Sequence, residues 1–146
     1  MDISSPVTYG RKIRFSDSDR QGIVFNVNYL VYWDDVLTDY MEAIGLPWSE
    51  LVANGDDMVL VRTEINYRKS AIVGDTVRTT IRVTGIGRTS VTFVYESTNA
   101  ATGQVLVDGT RIQVVLNNAS FEPTPVPEYL RALILAHEGP RLGTTQ

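Results

Sequence analysis

Between Asn28 and Ile44 the chain sets Tyr29, Trp33, Val36, Leu37, Tyr40, Met41 and Ile44 on one helical face, the i, i+4, i+7, i+8 spacing of a helix that buries one side. Asp34, Asp35, Thr38, Asp39 and Glu42 occupy the other side, and Gly45 followed by Leu46-Pro47 supplies a stop. The spacing predicts a helix near residues 28–44. Leu30, Val31 and Tyr32 widen the apolar face in the first turn, so that end is expected to be the more deeply enclosed. A short helical stretch, PWSELVAN, comes next, and then the pattern changes. MVLVRTEINYR, DTVRTTIRVTGIGRTSVTFVYEST and QVLVDGTRIQVVLNN are mostly β-branched or aromatic. Turn signals at Val73-Gly74-Asp75, Gly85-Ile86-Gly87 and Ala101-Thr102-Gly103 divide this block into four strands, with a fifth earlier at about Thr8 to Phe15.

One broad-faced helix followed by an antiparallel meander has few ways to bury both apolar layers. The expected architecture is α+β, a single antiparallel sheet wrapped around one long central helix. Such a sheet has edges, so self-association into at least a dimer is expected. VPEYLRALILAHEG reads as a last helix with Pro127 in its first turn and Leu130, Leu133 and Ile134 available to pack, and GPRLGTTQ reads as a frayed tail. A chain of 146 residues suits one domain over 1–146, with its core at about 8–130 and the C-terminal helix and tail at 126–146.

The net charge of -4 opposes nonspecific attraction to nucleic acid or an anionic membrane, so neither is expected as a partner. No apolar run approaches the roughly 20 residues that span a bilayer, and MDISSPVTYGRK lacks the apolar core of a signal peptide. A cytoplasmic protein is the expectation. The absence of cysteine removes thiol nucleophiles, disulfides and thiolate zinc sites. The one histidine, His137, sits near the C-terminal end after LRALILA, where it reads as a solvated residue of a last helical turn, not as the base of a nucleophile–histidine pair. No metal site and no separate cofactor are expected.

Just ahead of the long helix stands FSDSDRQGIVFNVNY, residues 15–29. FNVN brings peptide N–H groups to the positive end of the helix dipole, where a carbonyl oxygen can be polarised. Gly22 permits a tight turn that lets Asp19 fold back towards the helix start. A carboxylate beside an oxyanion site suits ester or thioester hydrolysis, by direct attack or by deprotonating water, and a free aspartate, with a pKa of about 3.9, is ionised at neutral pH without help from a histidine. Asp and Asn are equally common in turns and N-caps, and from spacing alone Asp17 competes with Asp19.

FSDSDRQGIVFNVNYLVYWDD resembles the opening motif of the hotdog-fold acyl-CoA thioesterases of the 4-hydroxybenzoyl-CoA thioesterase type, aromatic-x-D-x-D-x-x-G-x-V-x-x-x-x-Y. Phe15, Asp17, Asp19, Gly22, Val24 and Tyr29 match it in register, and the resemblance runs over about residues 8–130, including INYRKSAIVGDTV. It implies a hotdog fold and hydrolysis of an acyl-CoA to a carboxylic acid and free coenzyme A, the coenzyme being part of the substrate. It makes Asp19 the catalytic carboxylate, Asp17 a structural residue, and the backbone N–H of Asn26 the donor to the thioester carbonyl. Gly22 and Phe25 of the motif, with Arg68, Lys69 and Arg88 for the phosphates and Thr89 and Ser90 near the pantetheine arm, are the implied substrate-binding residues. A homodimer or homotetramer is implied too. Many relatives carry histidine or an aromatic residue in place of Asn26 and proline in place of Ser70, departures that bear on substrate preference more than on reaction type. The alternatives are a thioesterase for carrier-protein-bound acyl chains and a noncatalytic acyl-thioester-binding oligomer. A hotdog hydratase or dehydratase is disfavoured, since those relatives pair a histidine with a carboxylate. Glu64 is expected to face solvent.

Overall fold

The computed structural model describes residues 6–142. Chain order is β1 (Val7–Lys12), a 3-10 turn (Phe15–Asp17), α1 (Asn28–Ala43), α2 (Trp48–Ala53), β2 (Asp56–Tyr67), β3 (Thr76–Ile86), β4 (Ser90–Asn99), β5 (Val105–Asn117) and α3 (Glu128–Glu138). The five strands form one antiparallel sheet in the order β1-β3-β4-β5-β2. This is the expected α+β layout, with α1 laid on one face of the sheet.

The apolar stripe of α1 is what joins the two layers. Tyr29, Tyr32, Trp33, Val36, Leu37, Tyr40 and Met41 are all buried, against inward-facing Val77, Ile81, Val91, Phe93 and Tyr95 of the sheet. Trp33 stacks on Tyr95 at 4.5 Å between ring centroids. Its indole N–H donates to Ser97 Oγ at 3.1 Å, and that hydroxyl shares a 2.7 Å hydrogen bond with Thr79. The polar tip of a large core residue is thus satisfied, and truncating Trp33 to alanine should cost about 3–5 kcal/mol. The stop after α1 is a Schellman motif. Gly45 takes φ +86°, its N–H donates to Glu42 C=O and the Leu46 N–H to Met41 C=O.

The structure differs from the sequence reading in several places. β1 ends at Lys12 instead of continuing to Phe15, because Phe15–Asp17 form a 3-10 turn closed by the Arg14 N–H donating to the Asp17 carboxylate. The first turn of α1 is not enclosed throughout, since Val31 is half-exposed. Pro127 caps α3 from just outside it. His137 is only partly solvated: its ring meets Tyr40 edge-on at 5.1 Å. The expected tail begins with a 3-10 turn, Pro140–Leu142, whose Leu142 is buried in the core, while residues 143–146 lie outside the described region.

β2 is a long edge strand, and beyond Met58 it is mostly exposed. Val59, Leu60 and Val61 all reach solvent, Val61 being displaced by a bulge where the register with β5 shifts. An open 12-residue edge carrying adjacent valines and leucine is a template for strand pairing. Among the described residues no helix is long and apolar enough to cross a membrane.

Candidate active site

The two motif aspartates are separated by what surrounds them. Asp17 is 5% exposed. Its carboxylate accepts from Arg11 Nη2 at 2.8 and 3.1 Å and from the Arg14 N–H at 2.8 Å. Burial by itself would raise its pKa, but the Arg14 N–H, the Arg11 guanidinium and the neighbouring Tyr32 outweigh it and hold the carboxyl below its ordinary value. The Asp17 carbonyl accepts from the Phe25 N–H, within the motif loop, and from Asn28 Nδ2, which ties the loop to the first turn of α1. Every polar atom of Asp17 is therefore committed to holding the loop.

Asp19 is held by its backbone and leaves its carboxylate accessible. The Asp19 N–H donates to Ile23 C=O, and the Asp19 C=O accepts from the N–H of Gly22, which has φ +81°, a left-handed conformation that suits glycine. Among the described residues Oδ1 accepts only from the Gln21 N–H, at 2.8 Å. The chain then crosses to the 71–72 segment, where Ile23 bridges Ile72 and the Val24 N–H donates to Ala71 C=O. That crossing sets Arg68, Lys69 and Ser70 opposite Asp19 and creates an open cavity of about 410 Å³, lined among others by Asp19, Asn26, Tyr29, Tyr67, Arg68 and Lys69.

Asn26 enters this cavity immediately before α1. Among the described residues, neither its N–H nor that of Val27 donates to any backbone or side-chain acceptor, whereas Phe25 C=O accepts from the Asn28 N–H at 2.8 Å. Two free donors at the positive end of a 16-residue helix, beside an accessible carboxylate, can stabilise negative charge developing on a carbonyl oxygen.

The cations across the cleft differ in availability. Arg68 Nε and Nη2 grip Asp108 at 2.7 and 3.2 Å, and this fork holds the Asp108 carboxyl below its usual range. Among the described residues Lys69 has no ion-pair partner.

Of the residues singled out from sequence, the fold gathers Asp19, Asn26, Arg68 and Lys69 around one cavity. Gly22 shapes its rim, and Phe25 is exposed just outside it. Arg88, Thr89 and Ser90 lie elsewhere, at the β3–β4 turn, where their carbonyls accept from Val126, Val115 and Gly87. Glu64 is exposed beside Arg62, as expected. Sequence reasoning missed Gln21, Tyr67 and Ser70 as lining residues. Tyr67 closes an alternating strand directly before Arg68-Lys69, which is the signal that would have found it. A second cavity of about 530 Å³, lined by Asp34, Trp48, Met58, Leu60, Arg111 and Gln113 among others, contains none of the motif residues. Among the described residues no cluster of three or more His, Cys, Asp or Glu side chains is placed to hold a metal ion.

Comparison with known proteins bears on the family and the fold. The profile of the Thioesterase-like superfamily matches residues 13–134. The chain is 23% identical over 125 residues to a 1,4-dihydroxy-2-naphthoyl-CoA hydrolase of Synechococcus elongatus, covering 84% of this chain and 90% of that one. A thioesterase of Thermus thermophilus, solved in complex with coenzyme A and Zn, superposes with a TM-score of 0.82 at 30% identity, over 96% of this chain and 98% of the other. A 1,4-dihydroxy-2-naphthoyl-CoA thioesterase from Synechocystis shares the fold, with a TM-score of 0.83 at 20% identity over 93% and 100% of the two chains.

Proposed function

The chain belongs to the thioesterase-like superfamily, and from that premise we propose that it is an acyl-CoA thioesterase whose reacting carboxylate is Asp19. The observation that carries the reading is the single cavity combining an accessible Asp19 with the free N–H of Asn26. The thioester carbonyl oxygen accepts from Asn26 while the carbonyl carbon faces Asp19. Asp19 either attacks that carbon, giving a mixed anhydride that water then opens, or removes a proton from the attacking water. In both routes the C–S bond breaks, the thiolate of coenzyme A leaves and takes up a proton, and the acyl carbon keeps a new oxygen. Asp17 serves by holding the loop.

Coenzyme A is supported as the carrier of the acyl group by the free Lys69 at the cleft, which suits a phosphate, and by the coenzyme in the 30%-identical Thermus thermophilus thioesterase. A second copy of the chain, paired along the exposed edge of β2, belongs to the same reading, as does a cytoplasmic setting. One observation favours a carrier-protein thioester instead: Arg68 is already gripped by Asp108, leaving fewer cations for a nucleotide.

The test is release of free thiol by the purified protein from a panel of aromatic and aliphatic acyl-CoAs and from the same acyl groups on a carrier protein. Turnover of acyl-CoAs is the expected result. Turnover confined to the carrier-bound chains would transfer the reading to the alternative, and acyl-CoA that binds yet survives incubation would overturn hydrolysis altogether.

A further inference from the structure

The Asn26–Val27 peptide is held from both ends of the cleft. Its carbonyl accepts two long bonds, from the Tyr29 N–H at 3.4 Å and from the Tyr67 hydroxyl at 3.3 Å. Tyr67 stands at the end of β2, half-exposed, lines the cavity, and meets Tyr29 edge-on at 6.1 Å. Tyr29 is anchored in turn, its hydroxyl accepting from the Ala71 N–H at 3.3 Å. A donor on a peptide carbonyl draws electron density from the N–H of the same peptide and makes it a stronger donor. The preceding peptide is arranged alike, with Phe25 C=O receiving the Asn28 N–H while the Asn26 N–H stays free.

We propose that Tyr67 is a positioning residue, and that by holding and polarising the Asn26–Val27 peptide it makes the Val27 N–H a second donor to the substrate carbonyl oxygen beside Asn26. The inference rests on the thioesterase reading and extends it, because it assigns a function to the last residue of an edge strand that contributes no reacting group. The Tyr67 bond is 3.3 Å long, and hydrogen bonds that serve catalysis commonly tighten only in the complex with substrate. The donor then acts mainly in the transition state, so its loss lowers kcat more than it raises KM.

The experiment uses Tyr67→Phe, which removes one oxygen from a half-exposed ring and leaves the contact with Tyr29. The expected result is a three- to tenfold fall in kcat, with KM changed less than about twofold and the unfolding midpoint unmoved. The spectroscopic counterpart is the thioester carbonyl band of an acyl-CoA bound to Asp19→Asn, read by infrared difference. In Asp19→Asn/Tyr67→Phe this band is expected to move back towards its frequency in water. An unchanged kcat and an unchanged band would overturn the role of Tyr67 while leaving the thioesterase reading in place. A wild-type protein without turnover, with no polarised carbonyl band in Asp19→Asn, would overturn both.

Discussion

Replacing Asp17 by asparagine should weaken the fold, whereas the same change at Asp19 should not. Asp17 is buried, and its charge is matched by Arg11 at 2.8 Å and by the Arg14 N–H. Asparagine keeps the shape but leaves the guanidinium without its counter-ion. Breaking a fully buried pair costs about 3–5 kcal/mol. The Arg11 side chain is 32% exposed, so water recovers part of that, and about 2–3 kcal/mol is expected. For a chain of this length the unfolding midpoint should drop by roughly 6–12 °C. At Asp19 the single bond from the Gln21 N–H can be accepted equally by asparagine, and the change should stay within about 0.5 kcal/mol. The pH dependence supplies a second check. The folded-state pKa of Asp17 lies below its unfolded value, so its contribution is fully present above the unfolded pKa of about 3.9 and is lost as pH falls through the folded value. Thermal melts of wild type, Asp17→Asn and Asp19→Asn from pH 7 to pH 3 should therefore show a gap for Asp17→Asn that closes in acid. Equal midpoints for wild type and Asp17→Asn at pH 7, or a gap that persists undiminished in acid, would refute the reasoning.

Glu138, 1% exposed, accepts from the Tyr40 hydroxyl at 2.7 Å and the Val83 N–H at 3.0 Å beside Arg82. Glu138→Leu strands all three, and denaturant melts should register a loss of about 3–5 kcal/mol. Lys69→Ala should raise KM for acyl-CoA about three- to tenfold at constant kcat, and steady-state kinetics with a pantetheine thioester lacking the nucleotide should show no such rise. Val61→Asp puts a charge on the exposed edge of β2 and should shift the sedimentation mass from oligomer towards monomer at micromolar concentration.

The parts of the molecule that were legible in the sequence are those written in short-range pattern. The period of Tyr29, Trp33, Val36, Leu37 and Tyr40 located α1, and Gly45 located its end, because helix faces and left-handed caps are local requirements. The strand block was legible for the same reason. The end of β1 was not, since a carboxylate three residues ahead pulls the backbone into a 3-10 turn and hydrophobic alternation carries no trace of that bond. His137 is partly covered and Leu142 buried by contacts with distant elements, which local polarity could not foretell. In the cleft, the motif pointed to Asp19 and Asn26, but their meeting with Lys69 depends on the bridge between Ile23 and Ile72. Arg88, Thr89 and Ser90 follow a glycine-rich turn and are not among the residues that line that cleft. Arg68 shows the limit of reading charge from sequence, because Asp108, which occupies its guanidinium, lies 40 residues further on.

The direct test of Asp19 as the reacting carboxylate is the steady-state rate of thiol release by wild type and by a folded Asp19→Asn variant on the best acyl-CoA of the panel. A fall of at least about a hundredfold at an unchanged unfolding midpoint is the expected result, the scale of losing a nucleophile or general base. A variant that turns over within about threefold of wild type would remove Asp19 from the chemistry and contradict the assignment.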